Sequence, residues 1–440
     1  MSTGYFLRLA AMLVVAAVLG LAASPPQGGR QAFESIAAGP GPRGALADKA
    51  CPIGAPPLTA AFAPLEDVLS VSPLGGVTAP GEPLPAPHIR INTKKADSVF
   101  ERRSAAALAP ARADIIAIER RIDRDADGAP TGVAWTVRLK PCADIAVYYD
   151  RLDEIDEGLL ARAGGLAAFS ELGGPDHLAI ETRVRVRAGE RIGAGKGFDV
   201  GLYDQSASPA TMARPERYQT NPYQHAQVIG ASPSLLKAIA PDIARARCPI
   251  DYLPKNVAPL WSAKLGDIWG MRSAKGDNAC RAALADAPGA AQGAWFTDAS
   301  HNALTNKVSA IALAPDAIDP ERLIFALHGR LKSLTPDMVA LAPGLEAEKK
   351  KATQDFLTFE RGDGRINPAF DKTREGEVYC YQRLRANFVG PRINGVMLMQ
   401  IVRADNGAAL MKLEARGDVT SCIDLDEPWK FTGAETTFYR

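Results

Sequence analysis

Short runs in which apolar and polar side chains alternate recur along most of this chain, separated by Gly, Pro and Asp. Alternation with period two marks a strand with one buried face. The pattern predicts a first strand and turn over residues 68–75, then strands at His88–Asn92, Asp114–Ile122, Gly132–Leu139, Asp144–Tyr149, Leu178–Val186 and Phe198–Tyr203. Within that block only Leu159–Leu172 reads as a helix. Residues 65–255 are therefore expected to form one compact antiparallel or sandwich domain, closed by the segment Cys248–Pro254. Residues 256–290, with Trp261, Trp269 and Cys280, read as an ordered connector.

A second run of strands follows in residues 291–440: Gly293–Phe296, Val308–Leu313, Leu323–His328, Phe356–Glu360, Val378–Leu384, Val396–Arg403, Leu410–Arg416 and Thr436–Tyr439. In Leu410–Arg416, Met411, Leu413 and Ala415 alternate with Lys412, Glu414 and Arg416, the pattern of a half-buried strand. Sequential strands of this kind predict an antiparallel β-barrel or sandwich. They lack a lipid-facing apolar band and aromatic girdles, which argues against an outer-membrane barrel. The fold class expected is mainly β, in two domains.

Before residue 65 the pattern changes. Residues 9–23 are an apolar run, too short for a comfortable membrane span and suited to the core of a signal peptide over residues 1–23. An uncleaved leader is the alternative, and would be the chain's one contact with a membrane. Residues 24–64 are rich in Pro and Gly and read as a tether. Six cysteines lie beyond residue 23, Cys51, Cys142, Cys248, Cys280, Cys380 and Cys422, an even number compatible with three disulfides in an exported chain. Cys380 and Cys422 share one β segment and are placed to pair; the remaining connectivity is open. No Cys-x-x-Cys or Cys/His spacing suggests a structural zinc site. The compartment expected is periplasmic or extracellular.

Charge narrows the partners. With 51 Lys and Arg against 50 Asp and Glu, the net charge is +1, which argues against nucleic acid, whose binding rests on clustered cations. The run Lys349–Lys351 follows Glu346 and Glu348 and reads as a solvated helix face.

The most distinctive local pattern is 186–204, where Gly189, Gly193, Gly195 and Gly197 precede the strand ending at Asp204. Glycines so spaced permit positive φ and close strand approach. With His88-Ile-Arg-Ile-Asn92, Tyr148-Tyr-Asp-Arg151 and Asp199-Val200-Gly201, residues 70–205 resemble the lysostaphin-type (LytM-like) zinc peptidases, a duplicated-hybrid-motif β-fold. The resemblance implies a zinc site with a His-x-x-x-Asp pair, a catalytic His, and a His-x-His on the returning strand. Of these five positions this chain keeps His88 alone: Asn92 replaces Asp, Arg151 replaces the catalytic His, and Asp199 and Gly201 replace the last two.

A hydrolytic zinc site needs three protein ligands and an open position for water. His88 and Asp199 supply two, with His177 or His225 as candidate third ligands. Arg151 cannot be a general base, because guanidinium stays protonated. It favours an anion instead, either a carboxylate of a ligand or that of Asp199. The expectation is a degenerate, non-catalytic site needing no cofactor, in a groove lined by His88, Asn92, Arg151, Asp199 and Tyr203. It would bind a peptidoglycan-derived ligand or an envelope protein. A metal-dependent cell-wall hydrolase using His88 and Asp199 and a structural adaptor are the alternatives. Asp123, Asp125 and Asp127 with Gly128 resemble the opening of a calcium loop, but Ala134 stands where that pattern ends in Glu, and a hairpin turn is the simpler expectation. His301 and His328 have no partner at ligand spacing.

Overall fold

The computed structural model describes residues 45–77, 85–94, 102–125, 127–215, 217, 232–276, 279–280, 286–299, 310–328, 354–386, 388 and 392–440. Residues 1–23, where a signal peptide was expected, lie outside them, as do His225, His301, the Lys349–Lys351 run and the side chain of His328.

The alternating segments of the first half are strands. In chain order they are β1 Val68–Ser72, β2 His88–Thr93, β3 Ala105–Leu108, β4 Ala113–Arg124, β5 Pro130–Lys140 and β6 Ile145–Leu152. Then come β7 Glu154–Ile155, β8 Ser170–Glu171, β9 His177–Val186, β10 Arg191–Gly195, β11 Phe198–Asp204 and β12 Ala246–Arg247. Nine of them build one sheet in the order β1-β2-β11-β6-β5-β4-β9-β8, with β12 on the far end of β11. The register carries one apolar row across it: Ile89, Val200, Tyr149 and Val137 are successive partners, and all are fully buried. A short sheet, β3-β10-β7, shares that core through Ala107, Ile192 and Ile155. Each large aliphatic side chain so buried contributes roughly 1.5–3 kcal/mol.

The glycine-rich segment is a turn followed by a strand. Gly189 has φ +76° in the turn before β10, where Glu190 N–H donates to the Arg187 carbonyl at 3.1 Å. β10 itself was not expected, because Gly193-Ala194-Gly195 has no strand-forming side chains. It is a strand because its neighbours come so close: a Cβ at Gly193 would lie 2.4 Å from the Glu154 carbonyl oxygen.

Three expectations need correction. The described part of the stretch expected as a tether, residues 45–64, is not one: Leu58 and Phe62 are fully buried, the Phe62 ring meets Trp261 edge-on at 5.0 Å, and Cys51 is bonded to Cys142. Apolar side chains at these positions outweigh the prolines around them. The connector extends the first sheet, since Val71 bridges Leu265 and covers the open edge of β1. The helix over 159–172 is shorter, α1 Glu157–Arg162, capped by the Asp156 carboxylate on Leu159 N–H and ended by Gly164 and Gly165 at φ +102° and +72°. Among the described residues the helices also include α2 Pro233–Ile239, on Ala117 and Ala179 of the first sheet, and α3 Ala258–Ser262, which carries Trp261.

The second half contributes β13 Gly293–Phe296, β14 Ala310–Pro315, β15 Arg322–His328, β16 Gln354–Glu360 and β17 Val378–Tyr381. It continues with β18 Arg385–Ala386, β19 Val396–Arg403, β20 Ala409–Arg416 and β21 Thr436–Tyr439. All pair antiparallel, in the order β17-β19-β20-β21-β13-β14-β15-β16-β18. Phe359 on β16 and Tyr381 on β17 come from opposite sides of this order, yet their rings lie 5.1 Å apart. The sheet therefore curls around an aromatic core that includes Phe325 and Phe370. The fold is mainly β, with two separable sheet regions, one a curled half-barrel. The outer face of β13 meets the first core through Ala294 and Phe296, while Trp295 points into the second. Cys248–Cys280 and the expected Cys380–Cys422 complete three disulfides.

Candidate functional site

The face of the first sheet opposite its apolar row carries charge. In β2 alternation puts His88, Arg90 and Asn92 on one side, and in β11 it does the same for Asp199, Gly201 and Tyr203. The register pairs Asp199 with Arg90 and with Asp150, and Gly201 with His88 and with Tyr148. His88 and Asp199 thus stand on one face. Asp199 is fully buried. Its Oδ1 accepts from Arg90 Nη1 at 2.9 Å, while Oδ2 lies 3.4 Å from Arg151 Nε and 3.6 Å from His88 Nε2.

Two backbone details bring these groups together. Strict alternation in β6 would point Arg151 away from the face holding Tyr148 and Asp150. Between Leu152 and Tyr149, however, β6 spends three steps against two in β5, and Arg151 takes φ +59°. Such a bulge re-aims a side chain. The Asp150 carboxylate pins it, accepting Arg151 N–H at 2.9 Å and the Thr136 hydroxyl at 2.5 Å. At the centre, Gly201 leaves room for the Tyr148 ring, since a Cβ there would sit 2.0 Å from Tyr148 Cε1. The Tyr148 hydroxyl lies 3.3 Å from His88 Nδ1, and burial, reinforced by Tyr203, pushes its pKa well above the usual range. It is a neutral phenol at any physiological pH.

Not every candidate joins the carboxylate. Asn92 donates to Ser70 and Ser72, at 3.2 and 3.0 Å, and so ties β2 to β1. Tyr203 packs on Tyr148 with centroids 5.3 Å apart. His177 lies 3.4 Å from Glu119, which also accepts from Arg138 at 3.0 Å. Asp123 pairs with Arg121, and Asp125 accepts the Asp127 and Ala129 N–H groups in the β4–β5 hairpin turn. These carboxylates serve different partners, and the segment is a hairpin turn in form. Arg90 was missed, although it stands inside the His88–Asn92 motif at the same-face position. Glu119 and Arg138 carried no sequence signal beyond alternation.

A zinc ion does not fit the Asp199 site. Among the described residues no group of three or more His, Cys, Asp or Glu side chains converges. His88 and Asp199 provide two donors, and the carboxylate already faces two guanidinium groups. A dication placed there would be repelled by both and would have to displace Arg90.

The Glu119 cluster gives the first sheet a pH dependence. Burial pushes the Glu119 carboxyl up, but Arg138 and His177 outweigh it and hold its pKa below the usual range. Asp150 is likewise lowered: burial raises it, and Thr136 and nearby arginines more than compensate. A carboxylate depressed in the folded state stabilises above its unfolded pKa, and that contribution disappears as pH falls through the folded one. The melting temperature is therefore expected to fall as pH drops below about 4.5. Glu119→Gln should flatten part of this dependence in a pH series of thermal melts; an unchanged slope would show that Glu119 does not titrate with unfolding. No family model matches this chain, and neither a curated protein nor a solved structure matches it.

Proposed function

We propose that the chain is an exported cell-envelope protein that binds a ligand or partner without hydrolysing it, its first sheet region a peptidase-like duplicated-hybrid-motif domain that has lost its metal chemistry. The observation that carries this reading is the Asp199 carboxylate, held by Arg90 and Arg151 beside His88. Guanidinium groups occupy the place a metal and its water would need, and neither can take a proton from water. Asp199 is closed off, whereas the side chains of Arg90 and Arg151 are 29 % and 38 % exposed. What an incoming molecule meets is therefore cationic. Carboxylates of a peptidoglycan stem peptide, or of an acidic envelope protein, suit such a surface. Export is supported by three disulfides, which persist in oxidising compartments.

Metal analysis of the protein purified without chelators, together with sedimentation on purified cell-wall sacculi, tests the reading. Retention on sacculi without stoichiometric zinc or calcium is expected, with retention reduced by Arg151→Gln. Stoichiometric zinc that disappears in His88→Ala would establish the hydrolase reading in its place. Absence of both zinc and sacculus retention would leave a structural adaptor.

A further inference from the structure

At the rim of the half-barrel, the end of β16, the turn after it and the segment around β18 enclose a cavity of about 580 Å³. Five arginines line it: Arg322, Arg361, Arg383, Arg385 and Arg392. Glu360 and Asp363 are the acids that join them. Arg322 and Arg361 also meet acids beside the cavity, Asp319 and Glu321, each at 3.8 Å. We propose that this cavity binds a ligand through a tetrahedral dianion, a phosphate or sulfate group.

Three observations carry the proposal. The fold sets arginines side by side: Arg385 and Arg392 are direct partners in an antiparallel bridge. Like charges placed so are destabilising. Neither Arg383 nor Arg392 has an acidic partner among the described residues, so the cavity's own acids do not neutralise them. An oxyanion held by Arg383 and Arg392 would give both a counter-charge.

The backbone beneath the arginines is fixed in advance. Asn367 and Arg383 both take left-handed φ, +52° and +58°, which residues other than glycine seldom adopt. Asn367 is buried; its amide donates to the carbonyls of Glu360 at 3.0 Å and Gln382 at 3.2 Å, and its oxygen accepts Gln382 N–H at 2.8 Å. One side chain thereby ties two walls of the cavity together. The Gln382 side chain is anchored in turn, its oxygen accepting from Ser421 and from Cys422 N–H. Arg383 is presented from a rigid frame, and less ordering is left for binding to oppose.

The chemistry of the lining selects the ligand. Guanidinium is planar and donates in pairs, matching the oxygens of phosphate and sulfate. A cavity of this volume has room for a body beyond the anion, and Phe388 offers an apolar wall for it. The site shares no residue with the Asp199 cluster and stands whichever way the proposal above falls.

Inorganic pyrophosphate is the probe, titrated calorimetrically into the full chain at low salt, with sulfate and acetate as parallel titrants. The expected result is one saturable pyrophosphate site per chain, sulfate competing and acetate not. The double variant Arg383→Gln/Arg392→Gln should weaken binding by at least about tenfold. Its melting temperature without ligand should be no lower than that of the parent. Arg403→Gln removes a charge paired with Glu375 outside the cavity, and should leave binding unchanged. No binding up to about 10 mM pyrophosphate, or equal loss in both variants, would overturn the proposal. So would acetate competing as well as sulfate.

Discussion

Asp199→Ala is expected to destabilise the fold by about 3 kcal/mol. Removing one partner of a buried ion pair typically costs about 3–5 kcal/mol, because the charge left behind has lost its counter-charge. The lower end applies here. Arg90 and Arg151 keep partial exposure and can turn toward water. His88 is the most enclosed of the three, and its Nδ1 keeps the Tyr148 hydroxyl at 3.3 Å. Asp199→Asn should cost less, since it preserves the shape and one acceptor while losing the charge. Adding Arg90→Met to Asp199→Asn should recover much of the loss, because a buried ion pair replaced on both sides by well-packed neutral groups is often close to neutral. Urea unfolding followed by fluorescence measures all three. The expected order of midpoints is alanine lowest, asparagine next, and the double variant nearest the parent. Should Asp199→Ala fall within about 0.5 kcal/mol of the parent, which is the range of an ordinary surface substitution, the carboxylate would not be the electrostatic keystone of this face.

That Asp199 and His88 share a face could be read from alternation alone, because strands with period two fix sidedness once their pairing is known. The same rule placed Arg90 beside them, but a family motif directs attention to its named positions and past the residue between. Arg151 was different in kind. Its role rests on a bulge in β6 and a positive φ, neither of which alternation records. β10 was invisible for the opposite reason: Gly193-Ala194-Gly195 is defined by what packs against it, the backbones of β3 and β7. Glu414 shows the limit within a well-read strand. Alternation assigned it to solvent, yet it is buried, accepting the hydroxyl and N–H of Thr432 at 2.7 and 2.9 Å. A long-range hydrogen-bond partner can hold a charged side chain inside where local pattern predicts the surface. The cavity arginines fall under the same heading, since Arg322 and Arg392 reach one cavity only through the long-range pairing of β15, β16 and β18.

The Cys51–Cys142 bond should be worth about 2–4 kcal/mol, and its loss should be felt first in the segment it anchors. It closes the longest loop of the three, with a sequence separation of 91 against 42 and 32. Loop entropy grows only logarithmically, so this length adds roughly 0.9 kcal/mol over the shortest loop. Length alone therefore does not set the effect; position does. Residues 52–56 are exposed, with Ile53 projecting fully into solvent. On either side the chain is held by Lys49 accepting from Ala143 N–H at 2.7 Å and by Phe62 in the core. Without the disulfide, the stretch before Leu58 keeps few contacts, among them Ala47 N–H on Asp114. Cys51→Ser/Cys142→Ser should therefore lower the unfolding midpoint and expose residues 45–57 to limited proteolysis at temperatures where the parent is resistant. Leu58 and Phe62 are expected to stay docked, so cleavage should trim this segment without releasing the first sheet. A variant that unfolds at the parent's midpoint and resists protease equally would show that hydrophobic anchoring alone secures the segment.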